Sequence, residues 1–241
     1  MEHVGIDLDL IRPDMEVLEA EFAEFKRLSL QRKRSFEIKW EDRVPCLDDR
    51  YLRPGFEPHY TYHPAWAASV LSRTRPAKHI DISSSLVFNA IVSAFVPVDF
   101  YDFRPAQLEL SGLQARAGNL LNLPFETNSV DSISCMHVVE HIGLGRYGDP
   151  LDPDADLSAI AELCRILSIG GNLLFVAPVG QPKVCFNAHR IYSYEQVAGY
   201  FDGLHIVEFA LVDDRGRFEV GADPSRVKDQ QWGCGCWWFR K

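Results

Sequence analysis

No apolar run in the 241-residue sequence approaches the roughly 18 residues needed to span a bilayer. The first twenty residues, MEHVGIDLDLIRPDMEVLEA, are acidic where a secretory signal is basic and then apolar. A cytoplasmic protein with no membrane partner is the expectation. Paired C-x-x-C units are missing too. The six cysteines, Cys46, Cys135, Cys164, Cys185, Cys234 and Cys236, are scattered through a chain too long to need disulfide staples, so reduced thiols are expected. Basic residues are in deficit, with 25 Lys and Arg against 34 Asp and Glu and a formal charge of -9. Phosphate backbones demand the opposite balance, so a small-molecule or glycan partner is expected and nucleic acid is not.

What is present alternates between two periods. After Pro13, Leu18, Phe22, Phe25 and Leu28 recur at helical spacing, with Lys26, Arg27, Arg32, Lys33 and Arg34 gathered at the end that the helix dipole prefers for cations. Residues 43–64, rich in Pro, Tyr and His, have no period and suggest a loop or lid, followed by a helix over 64–74. Residues 1–63 are thus expected to be an N-terminal extension of a main domain over 64–241.

Within that domain, AKHIDISSS, VPVDFYDF, LQARA, DSISCM and NLLFVAP suggest five strands. Helical LVFNAIVSAF separates the first two, and a helix over 155–168, with Leu157, Ile160, Cys164 and Leu167 as its apolar positions, precedes the fifth. HIVEFALVDD and GCGCWWFRK follow without a long helix between them, so they are expected to form an antiparallel hairpin at a sheet edge. The implied architecture is α/β: a doubly wound, mostly parallel seven-stranded sheet of Rossmann-like type.

In such a sheet a nucleotide binds beyond the carboxyl ends of the strands, which puts the turn DISSS at the centre. Small Ser83 and Ser85 let backbone approach a ligand there. Asp102 ends strand two, 21 residues after Asp81 (102 − 81), a spacing at which an acid accepts hydrogen bonds from ribose hydroxyls. The plainer alternative makes both aspartates strand-end turn formers. No G-x-G-x-x-G is present, which disfavours a dinucleotide.

The pattern His137-Val-Val-Glu140-His141 is that of the inverzincin peptidases, but glycines 143, 145 and 148 follow at once, and the peptidase needs a long helix. A helical turn over 137–141 would still bring His137, Glu140 and His141 to one face. Three further features have plain explanations. DPLDPDAD lacks the glycine and terminal glutamate of a calcium loop and suits the start of a helix. GCGCWW could be a thiol or metal site but suits sheet packing. His59, Tyr60, Tyr62 and His63 could cover a cofactor but suit a core.

Taken in order, these motifs resemble those of the class I S-adenosylmethionine-dependent methyltransferases, over roughly 64–241. HIDISSS resembles the family's D-x-G-x-G turn, with Ser83 and Ser85 in place of glycines. AGNLLNLPFETNSVDSISCMHVVEHI is similar to its "gD...LPF...sfDvV...vlEH", with Asn119 in place of Asp, and AELCRILSIGGNLLFVAP to "eiyRVLkPGGxlli". More narrowly, the chain resembles an uncharacterised methyltransferase-like family found in nematodes and bacteria.

The resemblance implies S-adenosylmethionine as cofactor, bound by Asp81, Ser83, Ser85 and Asp102 from the first two strands and by Asn119, Leu120 and His137 from the next two. Relatives with E-x-x-E-H after strand four, in quinone biosynthesis and small-RNA 2′-O-methylation, bind a divalent metal there. That implies a metal set of His137, Glu140, His141 and His189, with zinc, manganese or iron suited to imidazole. Without metal, His141 is the first candidate base for a hydroxyl acceptor and His189 the second. The expected activity is O-methylation of a small molecule or glycan. The alternatives are a silent methyltransferase fold serving as a binding module and an NAD-type enzyme.

Overall fold

The computed structural model describes residues 15–32, 36–46 and 55–241. Lys33, Arg34 and residues 47–54 of the expected lid lie outside them. The chain divides into two units, Met1–Phe56 and Glu57–Lys241. In the first, α1 (Met15–Ser29) carries Glu16 in its first turn and Lys26 and Arg27 in its last, as the dipole favours, and buries none of its residues. Phe22 meets Trp40 edge-to-face at 5.0 Å.

The second unit opens with α2 (Pro58–Thr74), which starts six residues before the expected position. Glu57 caps it by accepting from the Tyr60 amide at 2.6 Å, and Pro58 fills the first turn, where a missing N–H costs nothing. Pro64, taken as a helix start in the sequence, sits inside the helix instead. Residues 58–63 are therefore helix rather than lid. The remaining elements are β1 (His79–Ile82), α3 (Leu86–Val92), β2 (Val98–Asp102), β3 (Leu113–Ala117), β4 (Val130–Met136), α4 (Ala155–Ile166), β5 (Leu167–Val179), β6 (Lys183–Cys185), β7 (His189–Ile191), α5 (Tyr194–Tyr200), β8 (His205–Val212), β9 (Phe218–Val220) and β10 (Gly233–Arg240).

The main sheet runs β3-β2-β1-β4-β5-β10-β8-β9. The first five strands in that order are mutually parallel, and β10 is antiparallel to both β5 and β8. The seven expected strands are all present, and short β9 adds an eighth. The two expected C-terminal strands, β8 and β10, pair antiparallel, with β10 inserted between β5 and β8 and β9 at the edge.

Period-two alternation distributes side chains to two cores. Ile80, Ile133, Phe175, Leu211 and Trp237 face α4 and α5, while Met136, Leu174, Val176, Cys234 and Cys236 face α2 and α3. The GCGC alternation follows from this geometry. A Cβ on Gly235 would lie 2.5 Å from the Trp237 ring, so the glycine makes room for the indole while the cysteines line the opposite face. The stripe that α4 buries is Ala155, Asp156, Ala159, Ile160, Leu163 and Ile166, and Leu157, expected inside, is 39% exposed.

Candidate functional site

A cleft of about 380 Å³ opens where β1, β2, β3 and β4 end. Ser83, Asp102, Asn119, Leu120, His137 and His141 all line it. The loops add Arg104, Tyr147 and Asp149 to the lining; of these, only Asp149 stood out in the sequence, as part of DPLDPDAD. Two non-glycine residues on the cleft wall have left-handed backbone, Ser83 at φ 53° and His137 at φ 56°. Such conformations cost about 1–2 kcal/mol each and collect at functional sites. Ser83 is held there by its amide, which donates to the Tyr101 carbonyl at 2.8 Å, and by its hydroxyl, which donates to the same oxygen at 3.2 Å.

Asp81 does not line the cleft. It is fully buried, and its Oδ1 accepts from the Ser84 amide at 3.0 Å and from Asn89 Nδ2 at 2.8 Å. Its other oxygen takes a short hydrogen bond from the Ser134 hydroxyl. Of the two roles foreseen for this carboxylate, holding turn amides is the one the geometry provides. Ser134 also lies 2.8 Å from Nε2 of His79, whose Nδ1 lies 2.8 Å from the Ser132 hydroxyl. These residues form one buried polar chain beneath the first turn. Burial pushes the Asp81 pKa up to about 6 against the pull of its hydrogen bonds, and pushes His79 down to about 3. Ser85 caps α3 by accepting from the Phe88 amide, so it stabilises the helix behind the turn.

Asp102 Oδ1 accepts from the Arg104 amide at 2.7 Å, which fixes the carboxylate at the strand end. Asn119 forms an Asx turn by accepting from the Leu121 amide at 3.0 Å. The Leu-Pro-Phe segment that follows is anchored from behind. Glu162 accepts from the Leu123 amide at 2.7 Å, and Arg165, bonded to Glu162, donates to the Phe125 carbonyl at 2.9 Å.

The motif HVVEH folds as a three-residue 3-10 turn, Val139–His141, rather than a long helix. The peptidase arrangement is therefore absent. Gly143 ends the segment at φ 80°, and Asp149 gathers the loop by accepting from the amides of Gly143, Gly145 and Tyr147. Glu140 is 1% exposed, with Oε1 at 2.9 Å from His137 Nδ1 and 3.8 Å from His141 Nε2. His141 Nδ1 donates to the Ala188 carbonyl at 2.6 Å. His189 stands 6.5 Å from His141, ring centre to ring centre, and stacks on Trp232 at 6.0 Å, with burial lowering its pKa.

The metal set expected from the sequence does not converge. His141 has turned one nitrogen to a carbonyl, and Glu140 holds His137 by Nδ1 rather than sharing an ion with it. Among the described residues, the potential ligand atoms that do converge are those of His59, His137 and Cys234, all within 4.8 Å of one another. Both His59 and Cys234 belong to stretches that the sequence flagged and packing explained. DPDAD is a helix start as expected, with Asp152 accepting from the Asp154 amide at 3.0 Å. No helix among the described residues is long and apolar enough to cross a membrane.

Residues 122–231 match the family described as "Caenorhabditis protein of unknown function, DUF268". No curated protein matches the sequence. Solved structures similar to this one include the [4+2]-cyclase SpnF, at 14% identity and TM-score 0.53, covering 79% of this chain and 85% of that one. The N-methyltransferase NodS from Bradyrhizobium japonicum WM9 in complex with S-adenosyl-L-homocysteine is similar at 18% identity and TM-score 0.50, covering 89% and 97%. A second NodS structure has 16% identity and TM-score 0.52, with 77% and 97% covered. The mostly parallel sheet in the order β3-β2-β1-β4-β5, with β10 inserted antiparallel beside β8, is a Rossmann-like methyltransferase fold shared with these solved structures.

Proposed function

We propose that the protein is an S-adenosylmethionine-dependent methyltransferase acting on an oxygen of a small molecule or glycan. The observation that carries this is the cleft at the ends of β1–β4, whose lining brings Asp102, Ser83, Asn119 and Leu120 together with His137 and His141. The residues fit the cofactor chemically. Asp102 offers a carboxylate, pinned by the Arg104 amide, to ribose hydroxyls, and the left-handed backbone at Ser83 makes the close approach that glycine makes in the family's turn. The cofactor, when bound, supplies an electrophilic methyl group.

The chain then has to align the acceptor, exclude water and take one proton. His141 is suited to the last task. With Nδ1–H committed to Ala188, its Nε2 carries the lone pair, and Glu140 Oε1 at 3.8 Å stabilises the charge formed when Nε2 is protonated. His189 is the second candidate, outside the cleft lining, with its ring centre 6.5 Å from that of His141. The loop carrying Tyr147 and Asp149 closes the acceptor side of the cleft. A second reading, a silent fold used for binding, draws support from Ser83 and Ser85 standing where the family has glycines.

Isothermal titration of the full chain with S-adenosylmethionine and S-adenosylhomocysteine decides between them. Micromolar affinity, about −8 kcal/mol, is expected for a working pocket. Absence of binding at millimolar ligand defeats the enzyme reading, and binding of NAD in its place favours a dehydrogenase-type enzyme.

A further inference from the structure

We propose that His59, His137 and Cys234 bind a zinc ion beside the cleft, with one coordination position open to water or another ligand. The three residues come from distant parts of the chain: the first turn of α2, the residue after β4 and the start of β10. Their potential ligand atoms nevertheless lie within 4.8 Å of one another. His137 Nε2 is 3.4 Å from Cys234 Sγ. A tetrahedral zinc with bonds of about 2.1 Å to nitrogen and 2.3 Å to sulfur separates such a pair by about 3.6 Å. The His59 and His137 rings lie nearly parallel, 5° apart in plane, with centres 6.0 Å apart. Two imidazoles and a thiol are ligands suited to zinc and poorly suited to magnesium or calcium.

Glu140 provides a second, independent sign. It fixes Nδ1 of His137 at 2.9 Å, which leaves Nε2 on the side of Cys234 and His59. A carboxylate that holds the far nitrogen of a histidine is the usual support of a zinc-binding imidazole. The carboxylate is 1% exposed, and its Oε2 has no hydrogen-bond partner. A buried carboxylate in that state needs positive charge nearby, and an ion on His137 delivers it through the ring. The row Cys234–His137–Glu140 also has the order of a thiol nucleophile, base and orienting acid. Cys234 is 0% exposed, however, so no carbonyl substrate reaches its sulfur, whereas a single ion needs only three converging atoms.

The full-length reduced protein, stripped with chelator and desalted, is titrated with zinc and with cobalt(II). The expected result is about one zinc per chain, and for cobalt a thiolate charge-transfer band in the near ultraviolet with the visible bands of tetrahedral coordination. Cys234→Ser should abolish the charge-transfer band. His59→Gln and Glu140→Gln should each weaken zinc affinity roughly 10- to 100-fold while circular dichroism stays unchanged. Should Cys234→Ser fail to fold, the cobalt spectrum of the unaltered protein and His59→Gln decide. Folded protein that takes up no zinc, cobalt bound without a thiolate band, or affinity unchanged in His59→Gln would each overturn the site.

Discussion

Nδ1 of His141 donates to the carbonyl of Ala188 at 2.6 Å, so the loop before β7 selects the tautomer of a histidine 47 residues earlier. The bond leaves Nε2 as the nitrogen not engaged by Ala188. If His141 is the base, His141→Ala should lower turnover about 10²- to 10⁴-fold and leave S-adenosylmethionine affinity nearly unchanged, because the proposed cofactor contacts come from the ends of β1–β3. Steady-state kinetics beside calorimetry separate the two. Full turnover in the variant returns His141 to packing the turn after β4.

Asp102→Ala should weaken cofactor binding by about 1–3 kcal/mol, since ribose hydroxyls would lose a charged acceptor. Calorimetry on folded variant measures it. Unchanged affinity would leave Asp102 with only its turn, through the Arg104 amide.

The buried chain from His79 to Asp81 predicts two opposed pH responses. The pKa of His79 is lowered on folding, to about 3, so the unfolded chain binds the extra proton below about 6.5 and stability is lost as pH falls from there. For Asp81 the folded pKa is raised, to about 6, so the native state binds the extra proton between about 4 and 6 and stability is lost as pH rises through that window. Each group contributes at most about 1.4 kcal/mol per pH unit. Urea unfolding from pH 4 to 6 should therefore show a shallower acid loss in His79→Gln than in the unaltered protein, and a steeper one in Asp81→Asn. Identical slopes in all three proteins would contradict the assignment.

Gly143→Ala should destabilise the protein by about 2–4 kcal/mol, combining a left-handed alanine with overpacking. At φ 80° an added Cβ would lie 2.1 Å from the Asp152 carbonyl oxygen and 2.8 Å from Ala155 Cβ. Because this loop carries Tyr147 and Asp149 to the cleft, ligand affinity should fall with stability. A variant as stable as the parent in urea would mean that the loop yields.

Most strand positions were legible in the sequence because period-two alternation and β-branched runs are local properties. Asp102 was legible as the acid that ends the second strand, since a doubly wound sheet obliges strand ends to meet at one edge, whereas Asn119 and Leu120 came only from the resemblance to the methyltransferase motifs. Boundaries were less so. Pro64 marks a helix start in many sequences, and only the Glu57 cap shows that α2 begins earlier. The buried stripe of α4 was misassigned at Leu157, since spacing of three and four fits neighbouring faces until the sheet selects one.

What the sequence by itself determined is the α/β architecture and the position of most strands. Tertiary structure decided which histidines meet. Nothing in HVVEH says that His137 takes left-handed backbone and meets Cys234, 97 residues later. That pairing exists because β10 inserts beside β5 and brings its first cysteine to the carboxyl end of the sheet, while α2 sets His59 beside the same ring. Contacts across such separations depend on strand register and helix packing, which no local period encodes.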